Sequence, residues 1–154
     1  MSELNRRDFG MLAAAFAALA SVAEAQGDAA VGTSKVFRFS ELTVKKSANG
    51  GESRAVVHGT LPTGEFVEVH ETMLPAGQMP HPPHKHSHAE FILIREGSVE
   101  HWNNGKTEPP AGPGDIIFNA HMVPHGLKNV GTTPANYFVV AVGIQKDEAP
   151  VPVT

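Results

Sequence analysis

The chain has 154 residues, of which 41% are hydrophobic and 18% charged, and its mean hydropathy is −0.15. These values are typical of one globular domain and exclude a disordered or membrane-spanning protein. Sixteen acidic against twelve basic side chains give a net charge of −4 without any basic run, so we expect no nucleic-acid partner. The absence of cysteine excludes disulfide bonds, thiolate metal sites and cysteine nucleophiles.

The first 25 residues have the pattern of an export signal. Arg6 and Arg7 precede an alanine-rich apolar run at residues 11–22, and Ala-Glu-Ala at residues 23–25 is a cleavage site of the A-x-A kind. The pattern resembles a twin-arginine signal and predicts a periplasmic or exported protein that starts near Gln26. The run is shorter than the ~20 residues that span a bilayer, so we expect no membrane contact after cleavage. An amphipathic helix or a retained anchor is the alternative.

The rest of the chain divides into a connector at residues 26–34 and one β domain at residues 35–154. The connector is rich in small residues and has no periodicity. In the domain, short runs of β-branched and aromatic residues alternate with turn signals, and Asn104-Gly105 is a hairpin signal because both turn positions need positive φ. This pattern predicts an all-β fold, a small antiparallel barrel or double-sheet jelly roll. The predicted strands are residues 36–39, 55–58, 66–73, 91–95, 98–102, 115–118 and 136–144.

Nine histidines are the most unusual feature of the composition, and four of them lie within residues 81–88. His84 and His86 point to the same face of one strand, and Glu90 shares that face if the strand continues that far. His125, before another strand-like segment, is the natural fourth donor. Nitrogen and oxygen donors without sulfur suit iron, manganese, nickel, copper or zinc. Taken alone, the cluster is equally typical of a surface loop that binds metals adventitiously.

The spacing around this cluster resembles the first signature motif of the cupin superfamily. That motif reads glycine, five residues, His-x-His, three or four residues, glutamate, six residues, glycine. Here Gly77 is followed by six residues and then by His84, His86, Glu90 and Gly97, so only the first gap differs, by one residue.

The second cupin motif is matched further along the chain. It reads glycine, five residues, proline, any residue, glycine, two residues, histidine, three residues, asparagine, and Gly114, His125 and Asn129 fall at the corresponding places. Ala120 replaces the proline and Met122 the second glycine, which leaves the ligand positions intact. The resemblance implies a metal site of His84, His86, Glu90 and His125, with Asp115 and Asn129 serving the turn and the fold.

The other histidines have weaker patterns. Val99 and His101 share a face after Gly97, so we expect His101 to face the lumen, either as an acid–base residue beside the metal or as a hydrogen-bonded core residue. His81 is interpreted as a solvated loop residue and His88 as a rim residue, while His58, His70 and His121 are left without a role.

Export of a folded protein means that metal enters inside the cell. Copper and zinc would otherwise outcompete weaker-binding ions at a nitrogen and oxygen site. We therefore expect one divalent ion per chain, manganese or iron(II) first, with zinc, nickel or copper as alternatives.

Three hypotheses for function follow from the resemblance and the ligand set. The first is an oxygen-using oxidoreductase of the dioxygenase type, the second a redox-neutral lyase or isomerase that uses the metal as Lewis acid, and the third a barrel that only binds a metal or small ligand. Ile92, Ile94, Val99 and Met122 are predicted to line the pocket, so we expect a small, uncharged or weakly acidic substrate. Small cupin barrels pair through strand edges, which implies a homodimer that uses a strand at residues 36–42.

Overall fold

The computed structural model describes residues 31–144 and 151–153. The predicted export signal and most of the connector lie outside these residues and stay predictions. No helix in the described ranges is long and apolar enough to cross a membrane. The elements are a 3-10 turn at Phe39–Glu41 and strands β1 Val44–Lys46, β2 Glu52–Thr60, β3 Phe66–Leu74, β4 His84–Lys85, β5 Ala89–Glu96, β6 Val99–Asn103, β7 Lys106–Thr107, β8 Ile116–Asn119, β9 His125–Asn129, β10 Ala135–Gly143 and β11 Val151–Pro152.

The strands form two antiparallel sheets. The six-stranded sheet has the order β1-β2-β3-β10-β5-β8, and the five-stranded sheet has the order β11-β4-β9-β6-β7. Consecutive strands repeatedly fall in different sheets, as β4 and β5 do, so the chain crosses from one sheet to the other. The predicted all-β, double-sheet fold is confirmed.

The core lies between the two sheets, where alternate residues of each strand meet. In β5, Ile92 and Ile94 are buried, while Phe91 and Leu93 point outward and are exposed. Val99 of β6 reaches the core from the other sheet and is completely buried. This alternation is what period-two patterning predicts for a strand with one face on a core.

The predicted hairpin at Asn104-Gly105 is confirmed. Asn103 pairs with Lys106 across the turn. Asn104 and Gly105 have φ of 46° and 85°. These values match the positive φ that a two-residue hairpin requires at both central positions.

The predicted strand at residues 36–39 is wrong. Residues 36–38 form a loop, Phe39 begins the 3-10 turn, and the first strand starts at Val44. The Phe39 ring packs on the outer face of the six-stranded sheet, 4.7 Å from the guanidinium of Arg54. The apolar alternation in this segment therefore serves side-chain packing, because no neighbouring strand of the described chain pairs with its backbone. The strand expected at residues 36–42 for dimer pairing is thus not formed in this chain, and the homodimer itself stays a prediction.

A buried polar network lies on the outer face of the same sheet. The carboxylate of Glu71 is fully buried and accepts a hydrogen bond of 2.8 Å from Arg54 and another from the side-chain amide of Asn136. Arg54 also contacts the more exposed Glu52 at 2.9 Å. Hydrogen bonds to Glu71 raise the pKa of Arg54, against the opposing effect of burial. The carboxylate of Glu71 on β3 thus links side chains from β2 and β10.

Two cross-strand pairs make an apolar patch at one edge of the six-stranded sheet. Phe91 lies opposite Phe118, and Leu93 lies opposite Ile116. All four side chains are exposed, and the two phenyl rings are 4.9 Å apart. β8 is the edge strand beside this patch, with no strand on its other side in the described part of the chain. We refer to these four residues as the edge patch.

The glycine that ends the first motif, Gly97, is required by a close approach. Its φ is +84°, and a Cβ at this position would lie 2.6 Å from the Cα of Ala135. Gly105 has nearly the same φ, +85°, but nothing lies within 4 Å of its position. The two glycines therefore share the same backbone conformation and differ in the space beside them.

We expect Gly105→Ala to destabilise the barrel by about 1 to 2 kcal/mol, the cost of left-handed backbone for a residue with a Cβ. Gly97→Ala should cost about 1 to 3 kcal/mol more, because it also forces β10 to move. Urea unfolding of both variants measures the difference. Equal destabilisation would show that backbone conformation alone accounts for Gly97.

Candidate metal centre

The four predicted ligands come together although they do not lie on one strand. β4 ends at Lys85 and β5 begins at Ala89, so the strand does not continue from His84 to Glu90, which is the condition for placing Glu90 on the same strand face. His84 lies in the five-stranded sheet directly opposite His125, the first residue of β9. Glu90 lies in the six-stranded sheet, and His86 in the short crossing between the sheets. The site therefore bridges the two sheets.

The ligand atoms form a tight, buried cluster. One donor atom from each of His84, His86 and His125 can be chosen so that all three lie within 4.8 Å of one another. The carboxylate of Glu90 is 3.1 Å from Nε2 of His86 and 3.5 Å from Nε2 of His125. None of the three histidines is more than 5% exposed. The arrangement offers three nitrogen donors and one carboxylate in a space suited to one ion.

Hydrogen bonds to the backbone fix two of the rings. Nδ1 of His86 donates to the carbonyl of His88 at 2.9 Å, and Nδ1 of His125 donates to the carbonyl of Val123 at 2.9 Å. Because a carbonyl oxygen can only accept, Nδ1 carries the proton in both rings. In the neutral ring, Nε2 then presents a lone pair to the cluster, as a metal ligand requires.

Buried polar atoms without partners test whether a metal ion fits. Nδ1 of His84, Nε2 of His86 and Nε2 of His125 are buried and make no hydrogen bond. The close contacts of Glu90 with the last two atoms lack hydrogen-bond geometry. Buried polar groups are almost always paired, so orphaned nitrogens on all three rings of this cluster indicate a missing partner. A divalent ion fits this donor set.

The protonation states of His84 and Glu90 also suit metal binding, and a proton on His86 would leave when the metal binds. Burial, followed by the charges of the neighbouring histidines, lowers the pKa of His84 to about 3, so this ring is neutral near pH 7. Burial raises the pKa of the Glu90 carboxyl, but its contacts with three histidine rings outweigh this and hold the pKa well below the usual value. Burial lowers the pKa of His86, but its contact with Glu90 raises it by more. A neutral imidazole and an ionised carboxylate are the ligand forms that bind metals.

Asn119 is a site residue that sequence reasoning missed. Its side-chain amide donates to Oε2 of Glu90 at 3.2 Å, and its Oδ1 accepts a hydrogen bond of 2.8 Å from Nε2 of His101. His101 is buried, and burial lowers its pKa. His101 therefore reaches the ligand set through Asn119 and orients the amide that holds Glu90 in place. Its acid–base role stays a prediction.

His88 and His81 lie against the ligand rings. His88 stacks on His86 at 3.8 Å and an interplanar angle of 14°, and its Nε2 is 3.6 Å from Glu90. The donor atoms of His86, His88 and Glu90 also lie within 4.8 Å of one another, so His88 borders the ligand set. His81 packs edge-on against His84 at 4.2 Å.

Met122 occupies a strained position beside the site. Its φ is +57°, in the left-handed region where the cupin motif has glycine. Its backbone N–H donates to the carbonyl of His86 at 2.9 Å. A residue with a Cβ adopts this conformation at a cost of about 1 to 2 kcal/mol.

The expected roles of Asn129 and Asp115 agree with their contacts. The amide of Asn129 is completely buried, donates to the carbonyls of Leu74 and Thr133, and accepts from the N–H of Gly131. Asp115 accepts a hydrogen bond of 2.8 Å from the backbone of Gly112 and closes the turn before β8. Both residues hold loops at the ends of β8 and β9 that lie away from the ligands.

Comparisons with known proteins agree with this architecture. Residues 70–141 match the family model described as Cupin domain. No curated protein matches the chain.

Three solved structures are similar over most of the chain. KdgF from Halomonas sp. is 18% identical with a TM-score of 0.60, and the match covers 75% of this chain and 97% of that one. A predicted oxalate decarboxylase from Thermotoga maritima is 26% identical with a TM-score of 0.58, covering 72% and 100% of the two chains. A variant of oxalate decarboxylase from Bacillus subtilis is 21% identical with a TM-score of 0.60, covering 80% of this chain and 34% of that one. The chain thus has the cupin fold, and the family match within residues 70–141 agrees with the resemblance of its motifs to the cupin superfamily.

Proposed function

We propose that the protein is a mononuclear metal-dependent enzyme that acts on a small organic molecule. The observation that carries this proposal is a buried cluster with three orphaned imidazole nitrogens, two of which lie against the Glu90 carboxylate. His84, His86, Glu90 and His125 would hold one divalent ion, with manganese or iron(II) the preferred metals. When bound, the ion would supply a Lewis acid and, as manganese or iron, a redox centre.

The chain's own residues prepare this chemistry. Glu90 is kept ionised inside the barrel and is held in orientation by Asn119 and, through it, by His101. Ile92 and Ile94 extend from Glu90 along the same face of β5 and exclude water from the interior. A small substrate at the site would therefore have apolar walls on one side and fixed imidazole rings on the other.

For the reaction we place an oxygen-using, dioxygenase-type oxidation first, because the donor set suits redox-active manganese or iron(II). A redox-neutral lyase or isomerase is the second candidate. It is favoured by the 26% identity with the predicted oxalate decarboxylase from Thermotoga maritima, since a decarboxylase breaks a carbon–carbon bond without needing net oxidation. A barrel that only binds a metal or ligand is the third.

A metal-reconstitution series tests these alternatives. Metal-free protein is loaded with manganese, iron(II), zinc, nickel or copper, and turnover of oxalate and other small hydroxy and oxo acids is measured in air and under nitrogen. Turnover that needs manganese or iron and stops without O₂ supports the oxidation. Turnover that persists under nitrogen supports the lyase or isomerase. Stoichiometric metal binding without turnover of any substrate in the panel would support the third candidate, a barrel that only binds a metal or ligand.

Export by the twin-arginine route is part of the proposal. It is supported by the order of the paired arginines, the apolar run and the small-residue cleavage site in residues 1–25. Replacing Arg6 and Arg7 together by lysine should leave the protein uncleaved in the cytoplasm. Fractionation that finds this double variant in the periplasm would refute the assignment.

A homodimer is also part of the proposal, and the edge patch is the surface that we assign to it. Exposed apolar side chains in register beside a sheet edge are a liability that pairing removes. Light scattering at micromolar concentration should show a dimer, and Phe118→Lys should yield a monomer. Val36→Lys, in the loop first expected to pair, is the matched control and should stay dimeric. A monomeric wild type, or a dimer that only Val36→Lys disrupts, would contradict this assignment.

A further inference from the structure

A second polar group faces the interior of the barrel from β3. Glu68 and His70 lie an even number of residues from Phe66 and Leu74, which are both buried in the core. All four side chains therefore point to the inner face of the sheet. Nδ1 of His70 is 3.0 Å from Oε1 of Glu68. Each side chain keeps about a third of its surface exposed. The pair is thus inward-facing and still reachable from solvent.

The sheet register brings this pair to the metal centre. Ala141 of β10 lies directly opposite Glu68 on one side and directly opposite Glu90 on the other. Two strand spacings separate the Cα atoms of the two glutamates, about 10 Å. Between them the sheet presents only a methyl group. A small molecule bound at the metal centre would fill this gap and contact β3.

Hydrogen bonding sets the state of the His70 ring. An ionised carboxylate can only accept, so the proton in the contact with Glu68 is on Nδ1 of His70, and in the neutral ring Nε2 carries a lone pair. Burial raises the pKa of Glu68, but the hydrogen bond from His70 and the charges of three nearby histidines lower it by more. A carboxylate that orients a neutral imidazole in this way prepares it to accept a proton and stabilises the cation that forms.

His70 also lies on the same side of the interior as the ligand rings. Burial lowers the pKa of His81, and a positive charge on His70 would lower it further; His81 in turn packs edge-on against His84. His58 of β2 lies opposite Glu68 and packs against Phe66, but the structure shows no hydrogen bond between its ring and a carboxylate among the described residues. Of the two histidines on β2 and β3, His70 is the one whose ring contacts a carboxylate among the described residues, whereas the carboxylate beside His88 is Glu90 of the ligand set.

We infer that His70 is the acid–base residue of this site and that Glu68 is its positioning residue, acting on a small molecule that carries an ionisable hydroxyl next to the oxygen bound at the metal centre. This rests on the proposed function. In the step, the O–H bond of the substrate breaks, the proton bonds to Nε2 of His70, and the electron pair stays on the substrate oxygen. The imidazolium returns the proton to the product, so the residue is regenerated and no other reagent is consumed.

Nitrogen-15 NMR of the zinc-loaded protein tests this without turnover. Wild type should show His70 with its proton on Nδ1, and Glu68→Leu should lose that preference. Glycolate, a small acid that chelates through a hydroxyl and a carboxylate, should shift the Nε2 resonance of His70 and leave that of His58 unchanged. A shift at His58 or His101 but not at His70 would overturn the inference.

Kinetics on a substrate from the acid panel give the second readout. His70→Gln should lower kcat by about 10² to 10⁴-fold, the usual range for loss of a general acid–base group, with metal content unchanged. His70→Ala should be partly rescued by added imidazole, which a structural role would not predict. His58→Gln is the matched control and should change kcat less than about threefold.

The two levels of the proposal fail differently. Wild type that binds no zinc would overturn the proposed metal site and this inference with it. Wild type that binds metal and turns over substrate, with full activity retained in His70→Gln, would overturn only the inference. If the wild type binds zinc but turns over no substrate, the glycolate experiment decides the inference: a shift of the His70 Nε2 resonance supports it, and no shift overturns it.

Discussion

Alanine in place of His125 should weaken the binding of divalent metal by more than about 100-fold. Changes in groups that merely support a ligand cost about 10 to 100-fold in affinity, so loss of a ligand should cost more. The ring is buried opposite His84. Its Nδ1 donates a hydrogen bond to the backbone, and its Nε2 makes no hydrogen bond. His84→Ala should have a comparable effect. Competition with a chromophoric chelator measures the affinity.

His121→Ala is the matched control for these variants. His121 lies four residues before His125, is exposed, and bonds through Nδ1 to the carbonyl of Ser87. Its loss should leave metal affinity within about threefold of wild type. If His84→Ala and His125→Ala each keep full metal content and activity, the site assignment fails, and residues 81–88 are a surface chelator.

Replacing Glu71 by alanine should destabilise the barrel by about 3 to 5 kcal/mol. Removing one partner of a buried ion pair leaves the other charge without compensation, which costs this much. The Arg54 side chain is only 14% exposed, so water cannot fully replace the carboxylate. The side-chain amide of Asn136 loses its acceptor in the same variant. Urea unfolding of the metal-free protein, followed by circular dichroism, gives the free energy.

Glu52→Ala is the control, because Glu52 contacts the same guanidinium at 2.9 Å but is more exposed. Its loss should cost less than about 1 kcal/mol, as is usual for pairs near the surface. Equal effects of the two variants would show that burial of Glu71 does not set the strength of this network.

Local patterns predicted the long strands well and the short ones poorly. In β5 and β10, alternation over eight or nine residues identifies the buried face, because a core imposes period two on any strand that covers it. β4, β7 and β11 have two residues each, and they are strands only because a partner lies beside them. The segment at residues 36–39 has a strand-like composition but no such partner. Pairing partners are a tertiary property that a window of sequence does not contain.

The candidate site was predicted residue by residue, but for a reason that is partly wrong. His84 and His86 come close through their spacing, whereas Glu90 joins them because the chain changes sheet after Lys85. The number of residues between two ligands in a motif stays informative when the chain changes sheet, but the strand face predicted from residue parity does not.

Residues that reach the site from other strands could not be found in this way. Asn119 is 29 residues from Glu90 in sequence, and they become neighbours only through the β5–β8 register. His70 lies on β3, and its relation to the ligand on β5 depends on β10 lying between these two strands. The spacing of residues along the chain therefore predicts neither the contact of Asn119 with Glu90 nor the position of His70 relative to the ligands.

The position of the ligands on both sheets would couple metal binding to the stability of the fold. An ion held by His84 and His125 on one sheet and Glu90 on the other would be a cross-link through the core of a chain that has no cysteine to form one. By linkage, free metal at one hundred times its dissociation constant would add about 2.7 kcal/mol to the free energy of unfolding. The melting temperature of the barrel would then report metal occupancy, and a chelator would act on this protein as a reducing agent acts on a disulfide-bonded one.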